Sequence, residues 1–389
     1  MSDSILLALP VVLPAAVCAA LGLVWLVDGH PREKTVGRLT MGCWSVVALA
    51  VAALAARSGF GASVPRAEYG DWLAAGGQHF PIGLQADHLS LVMLSLSAAL
   101  VWIVALFSRR YMHRDPGFHR FFILMNMFGA AVMLLFSAAS YDLIAVGWEV
   151  VCTASFLLVA FYQQRPAPAR GALYMLAVYR LCDVGFFMAL ALLHHHGGQP
   201  AGAMATAIAF LLLLTAMGKS AQFPFSDWLP RAMEGPTPSS AIFYGALSVH
   251  AGAYLLLRAR PILDAASWVP EAIIIVGALT AARGALVGRT SPDAKTALAY
   301  ATVTQLGLIF VEIGLGWDRL ALWHIAGHAV LRTAQFLRAP SLLHDHHEMH
   351  SAAGGHLAAA GAPFGALMPR PAREWLYGLA LDLRGRGLS

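Results

Sequence analysis

Charge is what this chain has least of. Only 12% of its 389 residues are Asp, Glu, Lys or Arg, where a soluble domain usually carries about 25%. That shortage excludes a cytosolic globular enzyme, a disordered tail protein and a nucleic-acid binder. The formal net charge of +5 does not point to nucleic acid, because the basic residues sit in short stretches between apolar runs. Cysteine is scarce as well. Cys18, Cys43, Cys152 and Cys182 each stand alone in an apolar run, with no CxxC pair. They read as small core residues, not as a disulfide framework, a cluster or a zinc site. There is no nucleotide loop, catalytic triad or dinucleotide fingerprint. The chain is therefore expected to carry no catalytic residue, no metal ligand and no cofactor of its own.

Hydrophobic residues make up 58% of the chain. Apolar runs close to the roughly 20 residues needed to span a bilayer recur at 5–27, 36–57, 84–108, 119–137, 140–163, 171–193, 203–222, 237–258, 270–288, 295–315 and 318–338. Membrane strands would show alternating segments of about ten residues, and none is evident. Since every backbone group must be satisfied inside lipid, the expected fold is all-α: a polytopic membrane helix bundle of about eleven transmembrane helices, one or two of them broken. The first run follows Ser2-Asp3-Ser4 with no basic segment. It reads as a spanning helix rather than a cleaved signal peptide.

Alternate loops hold most of the basic residues, including Arg32, Lys34, Arg38, Arg109, Arg110, Arg114, Arg165, Arg231, Lys295 and Arg338. By the positive-inside rule, the N-terminus is expected outside a cell inner membrane and the C-terminal tail in the cytoplasm. Three regions follow: 1–83, N-terminal helices and an outer loop; 84–338, the main transmembrane domain; and 339–389, a tail. The tail holds the polar tract His344–His350 and a candidate amphipathic surface helix from Glu374 to Leu383.

Ionisable groups recur inside the apolar runs, although each costs at least about 2.5–3.5 kcal/mol at bilayer depth. They include Glu149, Arg180, Asp183, Lys219, His250, Arg283, Glu312, His324, His328 and Arg332. Spread over many helices, they suggest a polar path. Arg180 and Asp183 are spaced to pair on one helical face, and a plain structural pair is the alternative. Glu149 reads as a proton-exchanging acid or as a protonated carboxyl in a helix contact. Lys219 precedes Pro224, which cannot join the helix ladder, and helices broken at membrane depth usually line an ion site. His324, His328 and Arg332 recur at i, i+4 and i+8, on one face. Proton relay, polar packing and haem ligation all suit that row.

Gly218-Lys219-Ser-Ala-Gln222-Phe-Pro224, Asp227-Trp228-Leu-Pro230 and Ala232-Met-Glu234-Gly235-Pro236-Thr-Pro238 resemble the hallmark stretch of the antiporter-like family. That family comprises the large proton-pumping subunits of respiratory complex I and the Mrp-type antiporter subunits. Gly147-Trp148-Glu149, Arg180 through Asp183, Lys295 through Gly307, and His324, His328 and Arg332 extend the resemblance. It implies translocation of a cation, H⁺ or Na⁺, along Glu149, Asp183, Arg180, Lys219, His250, His324, His328 and Arg332. Pro224, Glu234, Gly235, Pro236 and Pro238 would frame the break, and any NADH chemistry would belong to other subunits. Two departures stand out. Arg332 occupies the position of the family's lysine, and arginine stays protonated. Tyr244 replaces an early histidine, with His250 six residues later. The sequence also ends after about eleven spans, and its tail loosely resembles shortened members of DAB-type inorganic carbon complexes. These pair with a large zinc-dependent carbonic-anhydrase-like protein. A transport-inactive membrane anchor is the competing expectation.

Overall fold

In the computed structural model, residues 3–28, 31–59, 64–75, 78–196, 200–291, 293–352 and 369–385 are described, apart from the side chains of 28, 75, 78, 340–352 and 385. Helices α1 (Asp3–Asp28) and α2 (Glu33–Ser58) are followed by strands β1 (Arg66–Ala75) and β2 (Gln78–Gln85). Then come α3 (His88–Tyr111), α4 (Phe118–Ser137), α5 (Tyr141–Val159), α6 (Pro166–His196) and α7 (Gly202–Lys219). Short turns α8 (Trp228–Arg231) and α9 (Thr237–Ser239) lead through a π-helical stretch, Ser240–Ala246, and a 3₁₀ turn, Ser248–His250, into α10 (Ala251–Arg258). α11 (Arg260–Asp264), α12 (Val269–Gly288), α13 (Ala294–Gly314), α14 (Asp318–Ala352) and α15 (Arg370–Gly385) complete the chain.

Among the described residues, 10 helical runs are long and apolar enough to cross a membrane. The eleventh expected span is present as α14, but its polar side chains keep it out of that class. α14 also runs past the expected boundary at 338 to Ala352, so the division between bundle and tail is not a helix end. The expected start at 84 is likewise displaced: Leu84 and Gln85 belong to β2, and α3 begins at His88, capped by Asp87. The antiparallel hairpin β1–β2 has no counterpart in the sequence reading. Its pairing is broken by irregularities between Glu68 and Leu73, which blurs the alternation that marks a strand. Instead of crossing lipid, it bonds to the end of the bundle, where Ala139 N donates to Gly83 O at 2.9 Å. The expected amphipathic helix forms as α15. It buries Ala380, leaves Trp375, Tyr377 and Leu381 exposed, and donates from Arg384 to Thr290 O. Residues 353–368, most of the Ala/Gly-rich stretch, lie outside the described residues, as do the side chains of the His344–His350 tract.

Contacts between loops sort into two ends, in phase with the alternation of spans. At one end His113 Nδ1 meets Glu33 Oε2 at 2.7 Å, Arg165 meets Glu234 at 3.3 Å and Lys295 Nζ donates to Gly235 O at 3.3 Å. At the other, His194 Nε2 meets Asp142 at 2.8 Å, and Arg260 pairs with Asp318. Inside the bundle, small residues allow close approach. A Cβ on Gly277 would lie 2.5 Å from Gly307 O, which holds α12 tightly to α13.

Asp87 ties α3 to α10. Its carboxylate accepts from Ser90 N at 2.8 Å and pairs with Arg258, whose Nη2 also donates to the Ser90 and Tyr254 hydroxyls at 2.8 and 2.9 Å. Burial pushes the Asp87 carboxyl up, but Arg258 and Ser90 outweigh it and hold it below the ordinary carboxylate value. The pair's stabilisation is therefore complete above the unfolded value of about 3.9, and is lost as pH falls through the lower folded value. Asp87→Asn should cost about 1.5–3 kcal/mol at neutral pH, the range for a hydrogen bond to a charged group. In thermal unfolding of the detergent-solubilised protein, the gap from the parent should close on acidification.

Candidate functional site

The site begins where α7 stops. That helix ends one turn short of the expected residue 222, where Ser220 leaves the helical path and Ala221 takes a left-handed φ of 50°. Inside a bilayer the freed backbone groups need partners, and they find them on neighbouring elements. Trp228 Nε1 donates to Gly218 O at 2.9 Å, and Phe223 N donates to Thr280 Oγ1 at 2.9 Å. The Ser220 side chain adds a further tie, with Oγ donating to Val249 O at 2.6 Å. Gly218 has no room for a side chain, since a Cβ there would lie 2.5 Å from Cys182 Cβ. α6 therefore presses directly on the break.

Lys219, only 1% exposed, sits at that end. Its Nζ donates to Trp148 O at 3.3 Å and lies 4.8 and 4.6 Å from the ring centres of Trp148 and Tyr179. Among the described residues no carboxylate lies within ion-pair distance of it. The amine is held by a carbonyl and two π faces, a softer cage than a carboxylate. The acids are one step away. Asp183 Oδ1 accepts from Trp148 Nε1 at 2.7 Å, and Arg180 bridges Glu149 at 2.7 Å and Asp183 at 2.8 Å. The expected i, i+3 pair exists, but as half of a three-membered network to which Cys152 Sγ also belongs, accepting from Arg180 at 3.2 Å. Asp183 is buried. Arg180, halfway along α6, keeps 45% of its side chain exposed, and Glu149 28%.

The second break lies in the π-helical and 3₁₀ stretch before α10. His250 is fully buried there. Its Nδ1 faces Ala246 O, and its Nε2 lies 3.0 Å from His328 Nδ1. A neutral His250 must donate from Nδ1 to the carbonyl, so its Nε2 accepts from His328. That leaves His328 Nε2 as a buried acceptor, and no protein group bonds to it among the described residues. The expected row on α14 thus divides. His328 faces the second break, whereas His324 faces α13, with Nδ1 2.8 Å from Glu312 and Nε2 2.9 Å from Gln305. Arg332 bonds Gln335 at 2.8 Å, and its Cγ lies 3.3 Å from where a Cβ on Gly245 would be. It has no carboxylate partner among the described residues.

Between the two breaks lie the buried hydroxyls of Tyr179 and Ser248, which face each other. Among the described residues, Gln222 Oε1, Glu149 Oε1 and Glu312 Oε2 are buried without hydrogen-bond partners. The resulting sequence of groups is Glu149–Arg180–Asp183, Lys219, Tyr179, Ser248, His250, His328, then His324 and Glu312. Of the framing residues, Glu234 pairs with Arg165, and Gly235, where a Cβ would lie 2.6 Å from Leu158 O, lets the loop lie against α5. Pro236 and Pro238 start the irregular helix. Arg283 is engaged elsewhere. It meets Asp227 at 2.6 Å and donates to Ser226 Oγ at 2.7 Å, fixing the connecting loop. Trp148, Tyr179, Ser248 and Gln305 were not identified as site residues from sequence. In an apolar run they look like any lipid-facing or packing residue. Replacing Gly218 with valine should overpack the break and cost about 1–3 kcal/mol, seen as a lower unfolding temperature in detergent.

Comparison with known proteins fits this geometry. Residues 138–364 match the family model described as NADH:quinone oxidoreductase/Mrp antiporter, TM, and residues 72–122 match that of the NADH-ubiquinone oxidoreductase (complex I) chain 5 N-terminus. The chain is 36% identical over 347 residues to NADH-quinone oxidoreductase subunit L of Mycobacterium tuberculosis, covering 84% of this chain and 54% of that protein. It is 34% identical to NADH-ubiquinone oxidoreductase chain 5 of Halichoerus grypus, covering 70% and 46%. A chain in the structure of the Mrp complex from Dietzia sp. DQ12-45-1b superposes with a TM-score of 0.73 at 25% identity, covering 98% of this chain and 43% of that one. The chain thus spans about half the length of the curated relatives it matches. It is a multi-pass membrane protein and belongs to the NADH:quinone oxidoreductase/Mrp antiporter transmembrane family.

Proposed function

We propose that this chain moves protons across a cell inner membrane as one subunit of a larger complex, with its C-terminal end in the cytoplasm. The observation that carries this reading is Lys219, an amine enclosed at a helix break and caged by a carbonyl and aromatic rings. Such an amine can hold or release a proton without breaking an ion pair. The Glu149–Arg180–Asp183 network supplies a charge that Lys219 senses. Protonating or moving that network changes the energy of the ammonium through a medium of low dielectric. From Lys219 the buried hydroxyls of Tyr179 and Ser248 lead to the His250–His328 pair. Two imidazoles in one hydrogen bond can pass a proton by exchanging donor and acceptor roles. Buried polar atoms without protein partners are ordinarily satisfied by water, so their succession supports a wetted path. Arg332 keeps its charge and acts on this path as a fixed field.

The half-exposed Arg180 supports partner subunits. A guanidinium in the middle of a spanning helix is costly against lipid, and a neighbouring membrane subunit seated on this part of α5 and α6 would shield it. Co-purification identifies the assembly. A large soluble zinc protein resembling carbonic anhydrase would place the chain in inorganic carbon uptake, and quinone-site subunits would place it in a respiratory complex.

The test is proton flux in proteoliposomes holding the chain with its co-purifying partners, followed with a pH-sensitive dye. Lys219→Ala should lower flux at least tenfold, about 1.4 kcal/mol or more in barrier height, with membrane insertion unchanged. Glu149→Gln should act in the same direction. Flux equal to the parent in both variants would reduce the chain to an inert membrane anchor.

A further inference from the structure

The groove between α2 and α3 lies far along the chain from the lysine site. At its mouth a cavity of about 380 Å³ is lined by Glu33, Lys34, Leu106, Arg109, Arg110 and His113, with Phe118 at its edge. The single acid is already engaged: Glu33 accepts from His113 at 2.7 Å and from Arg114 N at 3.2 Å. Lys34, Arg109 and Arg110 are exposed, and none has a carboxylate partner among the described residues. Gly37 makes the notch that Arg109 crosses, for a Cβ there would lie 3.0 Å from Arg109 Nε. Three cations in one recess, without a carboxylate partner among the described residues and flanked by apolar Leu106, suit a phosphate oxyanion.

Deeper between the same two helices lies an apolar trough of about 490 Å³, lined by Ser45, Ala48, Leu49, Ala99, Trp102 and Ile103. Its one polar pair is closed on itself, since Trp102 Nε1 donates to Ser45 Oγ at 3.0 Å. Leu106 and Ile103, one turn apart on α3, are 45% and 43% exposed and connect mouth and trough. From Arg109 to Ala99 is ten residues of helix, about 15 Å at 1.5 Å per residue. That equals one leaflet, half of a hydrocarbon core of about 30 Å. The cationic mouth lies at the membrane-surface end of α3, and the trough runs one leaflet deep beneath it.

We propose that this groove is a binding site for an anionic phospholipid, with the phosphodiester on Lys34, Arg109 and Arg110 and an acyl chain in the Ala48–Ala99–Trp102–Ile103 trough. The pairing of an oxyanion receptor with an acyl-length trough on the same two helices selects a lipid over free phosphate, and an anionic lipid over a zwitterionic one whose ammonium would meet the cations.

Native mass spectrometry of the full chain in detergent, titrated with palmitoyl-oleoyl phosphatidylglycerol, tests the assignment. Palmitoyl-oleoyl phosphatidylcholine and inorganic phosphate serve as comparison probes. Phosphatidylglycerol should bind at least about tenfold more tightly than phosphatidylcholine. The combined Lys34→Ala, Arg109→Ala and Arg110→Ala variant should lose that preference, while a variant with both arginines changed to lysine should keep it. Ala99→Phe, which fills the trough from an exposed position, should weaken both lipids. Equal binding of the two lipids, full retention by the triple variant, no effect of Ala99→Phe, or displacement of phosphatidylglycerol by millimolar phosphate would each overturn it.

Discussion

Placing a lysine amine inside a helix bundle with no carboxylate against it among the described residues is the constraint around which this protein is arranged. Lys219 meets that constraint by standing at the point where α7 ends, with a backbone carbonyl and two aromatic faces around its amine. Ending a helix in an apolar interior exposes backbone groups that must be satisfied. The surrounding elements are shaped accordingly: Trp228 returns to Gly218 O, and Thr280 on α12 reaches Phe223 N. Close packing at Gly218 then presses α6, with Arg180 and Asp183, onto the same point.

The acids and the amine are kept one step apart. Arg180 pairs with both Glu149 and Asp183, and Trp148 connects both halves by donating to Asp183 from its ring and accepting from Lys219 at its carbonyl. A direct carboxylate–lysine pair would hold the proton on the amine. Under the proposed function, the interposed indole leaves the two sides coupled through space and free to change charge separately. The second break repeats the theme with imidazole. The π-helical stretch brings His250 against His328, six residues beyond Tyr244.

Two arginines on the outer surface mark different surroundings. Arg180 is half exposed in the middle of a spanning helix, where lipid solvates it poorly. Arg109 stands in the last turn of its helix, at the mouth of the cavity proposed to take a lipid phosphate. Under the two proposals the same residue type serves protein contact in one place and lipid contact in the other, and depth decides which.

Sequence alone settled the class of the molecule, since 20-residue apolar runs and a shortage of charge leave few other solutions. It also located Lys219, a break between that lysine and Pro224, and the Arg180–Asp183 pair, because glycine, proline and intramembrane charge carry meaning that depends only on neighbours along the chain. The β1–β2 hairpin, the extension of α14 to Ala352 and the division of the histidine row between His250 and Glu312 were decided by tertiary structure. Which side chain a buried histidine faces depends on how helices rotate against one another, and that rotation is set by summed packing contacts distant in sequence. The roles of Trp148, Tyr179, Ser248 and Gln305 were hidden for the same reason: an aromatic ring or hydroxyl in an apolar run acquires a function only from what is packed against it.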